Sequence, residues 1–292
     1  MKPAPFTYHA PAGIAEAIAL LGTLGDEARP LAGGQSLVPM MNLRLARPSA
    51  IVDLNGIGDL DYHRIETEGL VVGALCRHRD VELDGDVLAR CAAVADAVPL
   101  IGHVGIRNRG TVVGSIAHAD PAAEWPCLAV LLDAEIRVEG PHGARRIPAT
   151  EFFRGAFATD LRPGELIVEV RFAWPPAGSG SAFVEVARRH GDFALAGAGA
   201  VVTLGLEGEV REARVALAGV GPVPIRAIAA EAALRGRRPD REACAAAAAA
   251  VAESLRPTDD VHAPAAYRRR LGGTLVRRAL ETAVSRAGRR PS

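Results

Sequence analysis

Hydrophobic positions along this chain change period in a definite order, and that order predicts an α+β fold. Phe6 to Tyr8 read as a short strand, and Ile14, Ala17, Ile18 and Leu21 share one face of a helix over residues 11–22. Leu31 and Ala32 continue a second strand, and a helix is expected over 39–46. The unbroken apolar run Ala50 to Leu54 suits a buried strand of a small parallel sheet. Residues 1–55 thus read as one α/β unit. Past it, apolar segments flank Thr67-Glu68-Gly69 as a hairpin, and helices are expected over 77–82 and 86–98, the second closed by Pro99. Asp120 reads as N-cap and Pro121 as first residue of a helix over 121–133, followed by strands over 134–139, 144–148 and 166–172.

The segment WPPAGSG, residues 174–180, interrupts these patterns and places a boundary between a domain of residues 1–176, itself divided near residue 55, and a second domain of 177–292. Strands over 182–187, 196–206 and 210–220 predict a three-stranded antiparallel sheet, followed by helices over 225–235, 241–255 and 265–287. The alanine run 245–250 reads as packed helix, because alanine is the strongest helix former.

Two segments carry candidate chemistry. In RPLAGGQSLVPMMNLRLAR, residues 29–47, Leu31 and Ala32 lead into Gly33 and Gly34, then Gln35, Ser36, Leu37 and Val38. The glycines have no Cβ, so they can take positive φ and let their N–H groups converge on an anion, and Ser36 adds a hydroxyl. Pro39 fits the first turn of the following helix, although the same pattern also fits a plain strand-to-helix loop. In GTVVGSIAHADPAAEWP, residues 110–126, Thr111, Gly114, Ser115, His118, Asp120 and Glu124 fall within one span. Two such loops suit a ligand with a pyrophosphate and two polar ends. No G-x-G-x-x-G followed by a distant acid is present, which disfavours the Rossmann mode.

Composition narrows the choice of partners. Thirty-four basic residues balance 34 acidic ones, and aromatics make up 4%, so neither a basic footprint nor a set of stacking platforms points to nucleic acid. Cys76, Cys91, Cys127 and Cys244 are far apart, lack zinc or iron–sulfur spacing, and read as buried, reduced thiols. With no apolar stretch of ~20 residues and no signal-like N-terminus, a soluble cytoplasmic protein without a transmembrane segment is expected.

Five segments in order resemble the FAD-binding medium subunit of the molybdenum hydroxylases, the carbon monoxide dehydrogenase and xanthine dehydrogenase type. They are AGGQSLVPMMNLRLA, RNRGTVVGSIAHADPAAEWP, LRPGELIVEV, ARRHGDFALAGA and DDVHAPAAYRRRLGGTLVRRAL. The resemblance spans the chain. It implies a vanillyl-alcohol-oxidase (PCMH)-like FAD-binding domain of two α/β subdomains, followed by the smaller sheet-and-helix domain. It also implies FAD contacts from Leu31 to Val38 and from Thr111, Gly114 and Ser115, with further contacts at Ile101, Glu124 and Leu161, and Phe193 beside the isoalloxazine. Asp120 reads either as a cofactor contact or as an N-cap, and His118 either as a contact or as a packed histidine. Three positions depart from the family pattern: Val113 replaces a glycine, Glu185 stands where many relatives have lysine nearby, and Phe193 replaces the tyrosine of some relatives.

On this resemblance the catalytic group is the flavin itself, and no protein acid, base, nucleophile or metal ligand is assigned. Molybdopterin and the iron–sulfur clusters belong to partner subunits, a large molybdenum subunit and a small iron–sulfur subunit, assembled as a dimer of heterotrimers. Electrons would pass from the clusters to FAD and then to an external acceptor. A free-standing FAD oxidoreductase of the same superfamily, and a structural subunit that has lost FAD, stand as alternatives. The arginines at 268–270 and 277–278 read as a solvated helix face or as a docking face.

Overall fold

The computed structural model describes residues 2–287. The chain opens with β1 (Thr7–His9), α1 (Ile14–Leu24), β2 (Ala28–Leu31), α2 (Leu37–Asn42) and β3 (Ala50–Asp53). The strands form a parallel sheet ordered β1-β3-β2, with the apolar β3 central. Ala17 and Leu21, on the predicted face of α1, are buried. The helix expected over 39–46 lies earlier, because Arg44 takes left-handed φ of 58° and ends the turn after Asn42.

A second sheet is antiparallel throughout. It begins with β4 (His63–Ile65) and β5 (Gly69–Gly73), followed by α3 (His78–Leu83), α4 (Gly85–Arg90), α5 (Ala92–Ala97), α6 (Val104–Arg107), α7 (Val112–His118) and α8 (Glu124–Leu131). The chain then returns through β6 (Glu135–Gly140), β7 (Gly143–Pro148), α9 (Ala149–Phe152), β8 (Phe153–Gly155), β9 (Ala158–Thr159) and β10 (Leu166–Ala173). The sheet order is β4-β5-β10-β6-β7, and β8-β9 is a separate hairpin.

Three expectations are corrected here. The helix over 86–98 is two helices, broken where Cys91 turns extended at φ −140°, and Pro99 lies inside a 3-10 turn rather than after it. The helix over 121–133 starts at Glu124, because the Asp120 carboxylate closes a local turn by accepting from Ala122 N–H at 2.9 Å. Asp120 is therefore not its N-cap. The second glycine segment is not a loop, since residues 112–118 are helical.

The third sheet holds β11 (Gly180–Val186), β12 (Ala196–Leu204), β13 (Val210–Ala218) and β14 (Ile225–Arg226), packed with α10 (Ile228–Leu234), α11 (Arg241–Ser254) and α12 (Ala265–Ala287). The three expected strands are present, but the sheet has four. Ile225 and Arg226, expected at the start of a helix, pair with β13 instead.

One face of this sheet is alanine-lined through Ala182, Ala198 and Ala200 and buries α11 and α12. The other carries Phe183, Val201, Ala216 and Ala218 into the core shared with the first two sheets, against α8. All eight residues of α8 are buried, as a helix apolar on every side requires. Gly199 lets α8 approach, since a Cβ there would lie 2.6 Å from the Leu131 side chain. The arginine reading changes too: Arg268 is 7% exposed, donates to Leu195 O at 2.6 Å and Gly219 O at 3.1 Å, and pairs with Asp260. It ties α12 to the sheet rather than facing solvent.

Candidate functional site

A cavity of about 550 Å³ opens where the loop after β2, the start of α7, the turn before α8 and the loop after β11 meet. Its size lies within the range of small-molecule and cofactor sites. Leu31 to Leu37 form one wall and Thr111, Gly114 and Ser115 the opposite one, with Ile101, Asp120, Glu124, Leu161 and Phe193 completing the lining. Of the sequence-predicted residues, Val38 alone is elsewhere, on a neighbouring groove with Asn55 and Arg109.

The first wall is held by close backbone approach. A Cβ on Gly33 would overlap the Arg109 carbonyl and lie 2.7 Å from Gly110 Cα, so the glycine is what lets the two walls touch. Gly34 takes φ of 74°, the left-handed region open to glycine. Asn55 donates to Ala32 O at 3.0 Å, and Arg77 braces both walls by donating to Asn55 Oδ1 at 2.7 Å and Arg109 O at 2.6 Å. Among the described residues the N–H groups of Gly34, Gln35 and Ser36 find no acceptor, leaving three adjacent donors at the cavity. Buried or ligand-facing N–H groups require partners, so this stretch is built to receive an acceptor-rich ligand.

The opposite wall begins with Thr111, the N-cap of α7, whose hydroxyl accepts from Gly114 N–H at 2.9 Å. Val113 sits in the first turn of α7 and is 3% exposed, so the residue replacing the family's glycine carries no backbone strain. The Ser115 hydroxyl has no hydrogen bond within the described residues and faces the cavity. Strain lies instead at the rim. Ala119 has φ of 52° and Phe157 φ of 58°, and Phe157 N–H donates to Ala119 O at 3.0 Å. Left-handed non-glycine residues persist only where their surroundings hold them, and they concentrate at binding sites. The Phe157 ring meets His118 at 5.1 Å between centroids, which makes His118 a packed half-buried wall residue.

Two buried polar residues support the site without having been singled out by the sequence. Arg107 forms a two-pronged pair with Glu82 at 2.9 Å and 2.9 Å and donates to Ile101 O and Gly102 O at 3.1 Å each, fixing the turn that presents Ile101. His78 lines the cavity and accepts from Trp125 Nε1 at 3.0 Å through Nδ1. Burial, reinforced by the Arg107 and Arg77 charges, depresses its pKa to about 3, so it is a neutral imidazole with its proton on Nε2. The motif RNRG contains Arg107 but gives no sign that its guanidinium is buried. Glu124, 5% exposed, is pushed up to about 8 by burial and by the charge of Glu185.

Three adjacent unpaired N–H groups, a glycine wall that a Cβ would fill, and hydroxyl and carboxyl groups farther along define a site for an elongated, phosphate-bearing cofactor. Residues 4–175 match the family described as the FAD binding domain in molybdopterin dehydrogenase, and residues 181–283 match the carbon monoxide dehydrogenase flavoprotein C-terminal domain. The chain belongs to this flavoprotein family of the molybdopterin dehydrogenases. It is 40% identical over 286 residues to the carbon monoxide dehydrogenase medium chain of Hydrogenophaga pseudoflava, covering 98% of this chain and 99% of that one. It is 41% identical over 287 residues to the 6-hydroxypseudooxynicotine dehydrogenase complex subunit alpha of Paenarthrobacter nicotinovorans, covering 98% and 97%. A solved structure of carbon monoxide dehydrogenase from Hydrogenophaga pseudoflava superposes with a TM-score of 0.95 at 42% identity, covering 98% of this chain and 99% of that one.

Proposed function

We propose that this chain is the FAD-carrying electron-transfer subunit of a molybdenum hydroxylase. The observation that carries the proposal is one cavity walled by Gly33–Ser36 and Thr111–Ser115, with Gly33 closely approached by the Arg109–Gly110 backbone that leads into the second wall, in a chain of this family. The N–H groups of Gly34, Gln35 and Ser36 bind the pyrophosphate, and the Thr111 and Ser115 side meets the cofactor from α7. Leu31, Ala32, Leu37 and Ile101 exclude water along its length, and Val38 backs the glycine turn from the neighbouring groove. Glu124 and Asp120 face sugar hydroxyls, while Leu161 and Phe193 flank the ring system. Bound FAD supplies the redox chemistry, and the protein's part is binding, orientation and electrostatic tuning.

The reading extends to the architecture and the assembly. Residues 1–176 form a PCMH-like FAD-binding domain with subdomains of about 1–55 and 56–176, and 177–292 form the C-terminal flavoprotein domain. The clusters and molybdopterin lie on a small and a large partner subunit, a reading supported by relatives named as a medium chain and as a subunit of a dehydrogenase complex, and the assembly is read as a cytoplasmic dimer of heterotrimers. Among the described residues no helix is long and apolar enough to cross a membrane. The test is co-expression with the adjacent large and small subunit genes. A complex that co-purifies with flavin absorbance is expected, and a chain that neither co-purifies nor binds FAD would overturn the proposal.

A further inference from the structure

Arg145 ties an edge strand to a connection that borders the cavity. It lies on β7, directly opposite Val138 of β6 and two residues before Ile147, so it shares a sheet face with two buried side chains. From there its guanidinium reaches residues 160–165, the connection between β9 and β10. At the start of this connection, Nη1 donates to Asp160 Oδ2 at 2.8 Å and Nη2 to Asp160 O at 2.6 Å. At its end, Nε donates to Glu165 Oε1 and Nη2 to Glu165 Oε2, each at 2.8 Å. Glu165 Oε2 also accepts from Arg162 N–H at 2.8 Å, which closes the connection on itself. Arg154, from the exposed side, donates to the remaining carboxylate oxygen of Asp160 at 2.7 Å and 3.0 Å. Between and just beyond the clamped ends, Leu161, Glu165, Leu166 and Ile167 line the cavity.

A guanidinium presents its donors in a rigid planar fork, and here one fork meets four oxygens at the two ends of a single connection. A lone surface ion pair would fix little, but two-pronged charge-assisted bonds define a geometry. Residues 160–165 cannot shift without breaking several of these bonds, and any shift moves Leu161 along the cavity wall. We infer that Arg145 is a positioning residue for the cofactor: it holds 160–165 in the bound form before the cofactor arrives, and so fixes where Leu161 meets the flavin ring. The inference rests on the FAD reading of the cavity and on the place of Leu161 beside the ring system. A wall formed in advance needs no ordering on binding, so loss of the clamp is expected as lost affinity and an altered ring environment.

FAD titration and visible circular dichroism of the full-length chain, in complex with its partner subunits, test this with Arg145→Met, Arg145→Lys and, as a control, Arg154→Ala. Arg145→Met should lower FAD affinity ~tenfold and change the visible dichroism of the flavin that stays bound. Arg145→Lys keeps the charge, but one ammonium cannot span the four oxygens, so the same spectral change is expected with a smaller loss of affinity. Arg154→Ala removes contacts to the outer oxygen of Asp160 alone and should leave affinity and spectrum at wild-type values. Arg145 variants that melt at lower temperature yet bind FAD with wild-type affinity and spectrum overturn the inference and leave the FAD reading intact. A wild-type complex that binds no FAD overturns both. Amide exchange in the wild-type complex, before and after flavin removal, gives a readout that needs no variant to fold. The Arg162 and Glu165 N–H groups, which donate to Glu165 Oε2 and Arg162 O, should be equally protected in both states, and protection that arises only with FAD bound overturns the inference.

Discussion

Gly33 is the residue on which contact between the two walls turns. In Gly33→Ala the added methyl meets the Arg109 and Gly110 backbone, which cannot rotate away, so the loops must part. We expect a loss of ~1–3 kcal/mol in urea unfolding, and FAD affinity reduced at least ~tenfold, since the displaced loop carries the three free donors. Val113 gives the opposite lesson. Restoring the family's glycine, V113G, removes a buried side chain from a helix and should destabilise the protein by ~2 kcal/mol or more rather than improve the site. His78 supplies an acid limit. An unfolded histidine binds its proton near 6.5, whereas the folded one resists until about 3. The unfolded state therefore holds more protons between these values, and stability falls as pH drops below 6.5. Thermal melts of H78Q should lose that part of the acid sensitivity.

At the scale of elements, the determinants are caps and buried ties. Thr111→Ala removes the hydroxyl that accepts from Gly114 N–H and should cost about 1 kcal/mol, measured by urea unfolding, with weaker FAD binding as α7 frays. Arg107→Met leaves Glu82 with Arg79 as its remaining partner and frees the Ile101 and Gly102 carbonyls, for an expected loss of ~3 kcal/mol. Strands and long helices were legible because their burial has a period: α12 runs Ala265–Ala287 as the sequence implied, and β12 and β13 deviate only at their ends. α7 was not. Val112, Val113 and Gly114 are weak helix formers, and its C-cap, Ala119, is left-handed where glycine is usual, so local propensity opposed what packing imposes. The start of α8 was misplaced for a related reason, since Asp-Pro serves equally well to close a turn or to cap a helix. The walls of the site were legible in their glycines and hydroxyls. Their supports, Arg107 and His78, were not, because only folding shows that a charge or an imidazole is buried.

For the whole molecule, the C-terminal domain completes the cofactor-binding one as well as adjoining it. Phe183, Val201, Ala216 and Ala218 belong to the same core as the first two sheets, and the Phe193 loop closes the cavity from the far side of the boundary. Unfolding should accordingly be cooperative across both domains, with one transition seen by flavin release and by far-ultraviolet circular dichroism. Helix α12 secures this seam: Arg286 donates to Asp96 at 2.6 Å and to Ser181 O at 2.7 Å, and Gly180 fits beneath the Ala283 carbonyl, where a Cβ would collide. That clasp gives biosynthesis a direction. Asp96 and Ser181 leave the ribosome long before Arg286 does, so the seam between α5 and β11 stays unclasped until α12 has emerged. A chain cut short before α12 would expose that seam to chaperones and proteases, so that only chains that include α12 would go on to take up a cofactor and join an assembly.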